Sequence, residues 1–149
     1  MDVKINNTKT LIEFFMKNYI DKIKVAVDMT VGNGFDSKNI LEILQPEKLY
    51  CFDIQQEALD NSKILLEKYL NCELILENHK NFDKFVKENI DFAIYNLGYL
   101  PKGDKNITTN AEDVEESLKK LLGKLNSKGI IFITFYIGYS AGQIESLEV

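Results

Sequence analysis

The chain has 149 residues, of which 45% are hydrophobic and 28% charged, a composition typical of a single soluble globular domain. Its longest uninterrupted apolar stretches, such as residues 130–133, are too short to cross a bilayer, and no secretory signal pattern stands at the N-terminus, so we expect a cytoplasmic protein without membrane association. All 18 basic residues are lysines and the net charge is −5. Nucleic-acid-binding proteins usually carry an excess of basic residues, so this charge disfavours nucleic-acid binding, although a local patch of lysines could still bind phosphates.

Apolar residues recur alternately at helical and strand-like spacing along the chain. In chain order, the predicted elements are a helix at 8–19, a strand at 24–29, a helix at 37–44, a strand at 49–53, a helix at 56–70, a strand at 73–76, a short helix at 82–88, a strand at 90–95, a helix at 111–125 with an exit turn at 126–129, and a strand at 130–136. This alternation is typical of a parallel sheet with helices on both faces. It predicts one doubly wound α/β domain over residues 1–149, with a mainly parallel, Rossmann-like sheet in which the fourth strand lies next to the first.

A glycine-containing loop follows the first predicted strand. Gly32 and Gly34 permit positive φ angles and a close approach of the backbone to a ligand. Asp53 ends the second predicted strand about 20 residues later, where an acid can reach ribose hydroxyls. Because doubly wound folds bind ligands at the carboxyl ends of their strands, the two features predict a nucleotide-like ligand at this edge.

The residues around the loop distinguish between possible cofactors. The phosphate-binding pattern GxxxxGK[ST] is absent, and Ser37 stands where the dinucleotide pattern GxGxxG has its third glycine. A carboxylate at Asp28 would repel a pyrophosphate but attract the cationic amino-acid end of S-adenosyl-L-methionine. The sequence therefore favours S-adenosylmethionine. The alternative is a tight strand-to-helix turn with Asp36 as the helix N-cap.

The stretch NLGYLPKGDKNITT at residues 96–109 resembles a motif of small bacterial methyltransferases labelled rRNA methylases. These are the MnmM-type tRNA enzymes, which methylate the 5-aminomethyl group of wobble 2-thiouridine. The loop at 28–36, the segment FDIQ at 52–55 and the histidine after the third predicted strand also resemble that family. The similarity extends over residues 25–142.

The resemblance implies a class I methyltransferase that uses S-adenosylmethionine and acts on the anticodon region of tRNA. The implied cofactor-binding residues are Asp28, Thr30, Gly32, Asn33, Gly34, Asp36, Asp53, Ile54, Gln55, Asn78, His79 and Asn96. Among them, we expect His79 to border the adenine pocket with Asn78 or to begin the next helix, and not to act as a catalytic base.

Methyl transfer from a sulfonium to an amine requires positioning of the two groups and neither a metal nor a covalent nucleophile. The side-chain amide of Asn96 and the carbonyl of Leu97 can accept the hydrogens of the amine, as in the N/D-PP-Y loops of amino-group methyltransferases. Tyr99 can stack on the uracil ring, and Asp104 can attract the ammonium or take its proton. Each has a structural alternative: Asn96 as a turn cap, Tyr99 in the core, Asp104 in a solvated turn.

Some features depart from the resemblance. Tyr139 stands where the family segment has a histidine, and no sequence remains after the fifth predicted strand for the last two strands of the usual fold. An unpaired fifth strand would be an exposed edge, so a homodimer is compatible with the sequence. Two other functions stay open: a methyltransferase for a small-molecule or protein amine, and a truncated, non-catalytic protein that only binds the cofactor. Cys51 and Cys72 match no metal-ligand spacing, and we expect both to be reduced thiols.

Overall fold

The computed structural model describes residues 7–97 and 111–135, which form a parallel sheet with helices on both faces. The helices are α1 (Thr8–Tyr19), α2 (Phe35–Asn39, continued by a π-helical turn at Ile40–Leu44), α3 (Gln56–Leu66), a 3₁₀ helix (His79–Lys84) and α4 (Ala111–Lys124). The strands are β1 (Val25–Asp28), β2 (Lys48–Asp53), β3 (Cys72–Leu76), β4 (Ile90–Leu97) and β5 (Leu125–Phe135). The predicted alternation of strands and helices is confirmed.

The five strands are all parallel and lie in the order β3-β2-β1-β4-β5. Every residue of β1 is buried, as the short β-branched stretch at its position requires. From β1 the chain first builds the sheet towards β3 and then crosses back to place β4 on the other side of β1. The strand order therefore reverses between β1 and β4, and a ligand crevice is expected outside their carboxyl ends.

Two apolar clusters cover the two faces of the sheet. On one face, side chains of α1, α2 and α3 such as Met16, Ile40 and Leu66 pack against the sheet. On the other face, Phe82 of the 3₁₀ helix and Leu121 of α4 are fully buried against it. No helix in residues 7–97 and 111–135 is long and apolar enough to span a membrane.

Three predicted boundaries were wrong. The helix predicted at 56–70 ends at Leu66, because the pairing of Cys72 with Leu49 leaves residues 67–71 to make the turn. The helix predicted at 82–88 is the 3₁₀ helix, which begins where the side chain of Asn78 accepts a hydrogen bond from the backbone N–H of Lys80.

The exit turn predicted at 126–129 lies inside β5. The pairing of β5 with β4 shifts from Leu125 opposite Ile90 to Ile130 opposite Phe92. Residues 126–129 are therefore accommodated opposite Asp91, whose Oδ1 accepts a 2.6 Å hydrogen bond from Nδ2 of Asn126. Residues 126–129 therefore form a bulge in β5, and the pairing of β5 with β4 resumes at Ile130.

Candidate functional site

Three polar side chains lie where β1, β2 and β4 end. Asp28 and Asp53 are the last residues of β1 and β2, and Asn96 is the penultimate residue of β4. The strands are neighbours in the sheet, and their carboxyl ends share one edge because they are parallel. The predicted adjacency of the first and fourth strands is confirmed.

The glycine loop is fixed to the end of β2 by backbone hydrogen bonds. The N–H of Gly32 donates to Oδ2 of Asp53 at 3.0 Å, and the N–H of Val31 donates to the carbonyl of Phe52 at 2.8 Å. Both loop glycines have positive φ angles, +54° at Gly32 and +91° at Gly34. Gly34 occupies the N-cap position of α2, and Asp36 lies in the first helical turn, so the alternative with Asp36 as the N-cap is wrong.

Gly34→Ala should destabilise the fold. A Cβ at Gly34 would lie 3.3 Å from Cα and Cβ of Ser62, and φ +91° is strained for any L side chain. We expect a loss of about 1–3 kcal/mol in the free energy of unfolding, or roughly 3–10 °C in Tm. Gly123→Ala is the matched control, because Gly123 lies at an exposed position of α4 and nothing lies within 4 Å of an added Cβ there. For this variant we expect the free energy of unfolding to rise by about 0.5–1 kcal/mol. Equal Tm values for the two variants would contradict the prediction.

Side chains of α3 hold the loop from the other side. The hydroxyl of Ser62 lies 2.7 Å from the carbonyl oxygen of Gly32 and 2.6 Å from that of Ala58, and its single hydrogen can donate to either. Nδ2 of Asn61 donates to Oδ1 of Asn33 at 3.1 Å. Ser62 is fully buried. No sequence motif indicated Ser62 and Asn61, although a serine on the buried face of an amphipathic helix is a signal that could have identified Ser62.

Asp28 is buried and makes two hydrogen bonds inside the chain. Its Oδ2 accepts from the hydroxyl of Ser37 at 2.6 Å, and its Oδ1 accepts from the N–H of Thr30 at 3.1 Å. Burial, and then repulsion from Asp36, raise the pKa of Asp28 to about 7. Ser37, which stands where a third glycine would lie, therefore serves to hold this carboxyl group. The predicted contact of Asp28 with the cofactor stays a prediction.

The raised pKa of Asp28 predicts a particular pH dependence of stability. Between its ordinary pKa of 3.8 and the folded pKa of about 7, the folded chain binds more protons than the unfolded chain. The contribution of this group to stability therefore falls as pH rises through that window. Asp28→Asn should remove this pH-dependent loss of stability. The free energy of unfolding of the variant, measured with urea, should therefore rise relative to that of the wild type between pH 5 and pH 8. Parallel pH curves would contradict the assignment.

Asp53 is the acid at the end of β2. Its Oδ1 accepts a hydrogen bond from the N–H of Gln55 at 3.0 Å, while its Oδ2 accepts the one from the glycine loop. Burial raises the pKa of this carboxyl group, while these backbone donors lower it. Ile54 is half-buried and Gln55 is buried beside it. The carboxylate keeps acceptor capacity for further donors, because each oxygen has two lone pairs.

Asn96 is held in place by two elements that precede it in sequence. Its N–H donates to Oγ1 of Thr30 at 2.6 Å, and its Nδ2 donates to Oδ2 of Asp36 at 3.2 Å. Its Oδ1 is buried and has no hydrogen-bond partner among the described residues. Leu97, the other predicted amine-binding residue in the described ranges, ends β4 with its side chain buried. Tyr99, Asp104 and Tyr139 lie outside the described residues.

Asn78 and His79 follow β3 and lie on the face of the sheet that α4 covers. Nδ2 of Asn78 donates to Oδ2 of Asp113 in α4 at 2.8 Å. His79 begins the 3₁₀ helix, is only 4% exposed, and packs edge-to-face on Tyr95 with the ring centroids 5.4 Å apart. Burial lowers the pKa of His79 to about 4, so the imidazole is neutral, and neither ring nitrogen has a hydrogen-bond partner within residues 7–97 and 111–135. The predicted place of His79 beside the adenine stays a prediction.

The cysteines and the acidic residues form no metal centre in the described ranges. No group of three or more histidine, cysteine, aspartate or glutamate side chains is arranged there to hold an ion. Cys51 and Cys72 are free thiols with their sulfur atoms 3.6 Å apart, as expected for reduced cysteines on neighbouring strands.

Several known proteins are similar in sequence to this chain. A family model described as "Putative rRNA methylase" matches residues 49–149. The chain is 31% identical over 144 residues to the chloroplastic tRNA (mnm(5)s(2)U34)-methyltransferase of Arabidopsis thaliana, covering 87% of this chain and 52% of the relative. It is 35% identical to the ribosomal RNA small subunit methyltransferase H of Streptococcus mutans over 49% of this chain and 23% of the relative. The chain thus spans about half the length, or less, of these curated relatives.

Two solved structures are similar over nearly the whole chain. One is a protein of the same description from Clostridium thermocellum, with a TM-score of 0.87 and 29% identity, covering 98% of this chain and 81% of that one. The other is a protein from Streptococcus mutans solved in complex with SAH, with a TM-score of 0.83 and 33% identity, covering 97% and 81%. The predicted Rossmann-like class I methyltransferase fold is confirmed.

Proposed function

Because the chain belongs to this rRNA methylase family, we propose that it is an S-adenosylmethionine-dependent RNA methyltransferase that methylates the 5-aminomethyl group of wobble (2-thio)uridine in tRNA. The plant relative's name supports the choice of substrate. The S. mutans structure, which contains SAH, supports the cofactor. The observation that carries the proposal is Oδ1 of Asn96 at the strand-order reversal, which is buried and has no hydrogen-bond partner in residues 7–97 and 111–135.

The residues at the strand ends fit an adenosine-type cofactor. Asp53 presents carboxylate oxygens suited to ribose hydroxyls, and the positive φ angles of Gly32 and Gly34 expose loop backbone beside it. Asn78 and His79 follow β3 directly, and we propose that they border the base. We propose these residues, with Asp28, Thr30, Asn33, Ile54 and Gln55, as the cofactor-binding set. The side chains of Asp36 and Asn96 are hydrogen-bonded to each other, and in this proposal they do not contribute to cofactor affinity.

The chemistry requires positioning of an amine more than activation of a nucleophile. S-adenosylmethionine supplies, when bound, a methyl group on a sulfonium; its transfer to the amine leaves S-adenosylhomocysteine and releases one proton. Asn96 accepts a hydrogen of the amine through Oδ1, and the Leu97 carbonyl accepts another, so the nitrogen lone pair is oriented. Tyr99 stacks on the uracil ring in this proposal, and Asp104 binds the released proton or the ammonium.

A second function is favoured by the charge of the chain. The net charge of −5 and the absence of arginine are unusual for an RNA-binding protein and suit a small-molecule or protein amine as the methyl acceptor. The two substrates differ in the salt dependence of binding, because RNA binding through lysines weakens steeply as salt concentration rises.

The test combines binding and transfer in one preparation of this chain. S-adenosylhomocysteine is titrated by calorimetry, and radioactive methyl transfer is then measured to tRNA whose wobble uridine carries an unmethylated 5-aminomethyl group. Binding with transfer supports the proposal. Binding without transfer to this tRNA rejects the wobble-uridine substrate, and no binding by the folded chain rejects the cofactor assignment. tRNA in which the wobble position is unmodified uridine is the control.

A further inference from the structure

Asp36 faces the predicted catalytic amide and not only the glycine loop that it follows. Its Oδ2 lies 3.2 Å from Nδ2 of Asn96, although 60 residues separate the two in sequence. This hydrogen bond fixes the orientation of the amide, because only the NH₂ group can donate to a carboxylate. Oδ1 of Asn96 is consequently turned away from Asp36, and it is buried with no hydrogen-bond partner in the part of the chain that the structure describes. Within that part, the pair therefore presents an unpaired amide oxygen beside a carboxylate.

This arrangement is rigid on the side of Asn96. The backbone N–H of Asn96 donates to Oγ1 of Thr30 at 2.6 Å, and Asn96 continues the β4 ladder opposite Thr134 of β5. The amide cannot rotate to pair Oδ1 inside the chain without losing the hydrogen bond to Asp36. A buried acceptor without a donor costs free energy, so a ligand that brings N–H groups to Oδ1 would remove that cost.

The charges around Asp36 suit a cationic ligand. Asp28 at the end of β1 and Glu13 of α1 add negative potential near Asp36, and Lys9 of α1 is the cation that opposes them. Burial raises the pKa of Asp36, and the hydrogen bond from Asn96 lowers it. An ammonium group placed against this carboxylate would stabilise its charged form.

We propose that Asp36 and Asn96 together form the binding site for the primary ammonium or amine group of the methyl acceptor. In the reacting amine, which has two N–H groups, the carboxylate of Asp36 accepts the hydrogen bond that the Leu97 carbonyl would otherwise accept, and Oδ1 of Asn96 accepts the other. The lone pair of the nitrogen then faces the methyl group, and an ammonium must lose its third proton before it can react. The inference rests on the proposed function and gives Asp36 a role at the acceptor in place of the cofactor role implied by the family resemblance. It recognises primary amines as a chemical class, whatever molecule carries them.

Sinefungin is a suitable probe, because it carries a primary amine where S-adenosylmethionine has its methyl group. S-adenosylhomocysteine has no group there. Calorimetric titration of both compounds therefore separates amine binding from cofactor binding, without RNA and without turnover. The ratio of the two dissociation constants is the quantity measured.

Asp36→Asn should weaken sinefungin binding about 10- to 100-fold, because a hydrogen bond to a charged partner is lost. Binding of S-adenosylhomocysteine should change by less than about threefold. Asp60→Asn is the matched control, since Asp60 lies on the exposed part of α3 and contacts only the side chain of Gln56 in the described ranges; it should change neither constant. Asp36→Ser carries the same expectation and replaces Asp36→Asn if that variant does not fold.

The outcomes distinguish this inference from the proposed function. If Asp36→Asn weakens the binding of both compounds equally, the inference is overturned and Asp36 belongs to the cofactor site. If it weakens neither, the inference is also overturned. A selective loss for sinefungin supports it even if the wild-type chain transfers no methyl group to tRNA, in which case the tRNA substrate is wrong and another primary amine is the acceptor. Transfer to tRNA with an unchanged ratio would leave the proposed function standing without this site.

Discussion

Asn96→Ala is expected to reduce methyl transfer by about 10²–10³-fold or more, while the affinity for S-adenosylhomocysteine stays nearly the same. The loss of a single preorganised polar group at a reacting centre has an effect of this size. The substitution removes Oδ1, the buried acceptor without a partner, and the hydrogen bond to Asp36. It retains the backbone N–H that donates to Thr30, so the end of β4 should keep its position. The measurements are kcat with tRNA and the dissociation constant by calorimetry.

Asn18→Ala is the control for this prediction. Asn18 is exposed in α1, and its side chain donates to the carbonyl of Phe14 within the same helix. It loses an amide of the same chemistry at a surface position, and both kcat and cofactor affinity should be unchanged. If Asn96→Ala loses cofactor affinity to the same extent as transfer, then Asn96 has a structural role and the amine-binding role is wrong.

Asp53→Ala is expected to weaken cofactor binding about 100-fold or more, because each charged hydrogen bond to a ribose hydroxyl contributes about 1.5–3 kcal/mol. The fold should be retained with a lower Tm. The N–H groups of Gly32 and Gln55 both lose their carboxylate acceptor, and unpaired donors cost about 1–3 kcal/mol each where they are buried. Affinity is measured by calorimetry with S-adenosylhomocysteine, and stability by thermal unfolding.

Asp91→Ala provides a matched control at the start of β1. The Oδ2 of Asp91 accepts hydrogen bonds from the N–H groups of Lys24 and Val25 at 2.8 and 3.0 Å. Asp91 therefore has the same kind of bonding as Asp53, but at the amino end of the strands, away from the predicted cofactor. We expect a comparable fall in Tm with unchanged cofactor affinity. Unchanged affinity in Asp53→Ala itself would reject the ribose assignment.

The fold could be predicted because its signals are local. Burial on both faces makes β1 continuously apolar, while the one-sided contact of α1 gives it a helical period, and both patterns can be read from adjacent residues. Right-handed crossovers then restrict the topology, so the adjacency of β1 and β4 followed from the alternation of elements. The ends of the helices did not follow, because the pairing of β3 with β2 decides where α3 must stop.

For the candidate site, the sequence by itself determined the residues that stand at the strand ends. Asp28, Asp53 and Asn96 each follow an apolar strand, and the glycines between them permit the turn that the backbone makes. Only the tertiary structure decided how these side chains are used. The hydrogen bonds from Ser62 to Gly32 and from Asn96 to Asp36 join residues 30 and 60 positions apart. Such contacts depend on strand order, register and helix packing, and these are properties of the assembled sheet that no local pattern of residues contains.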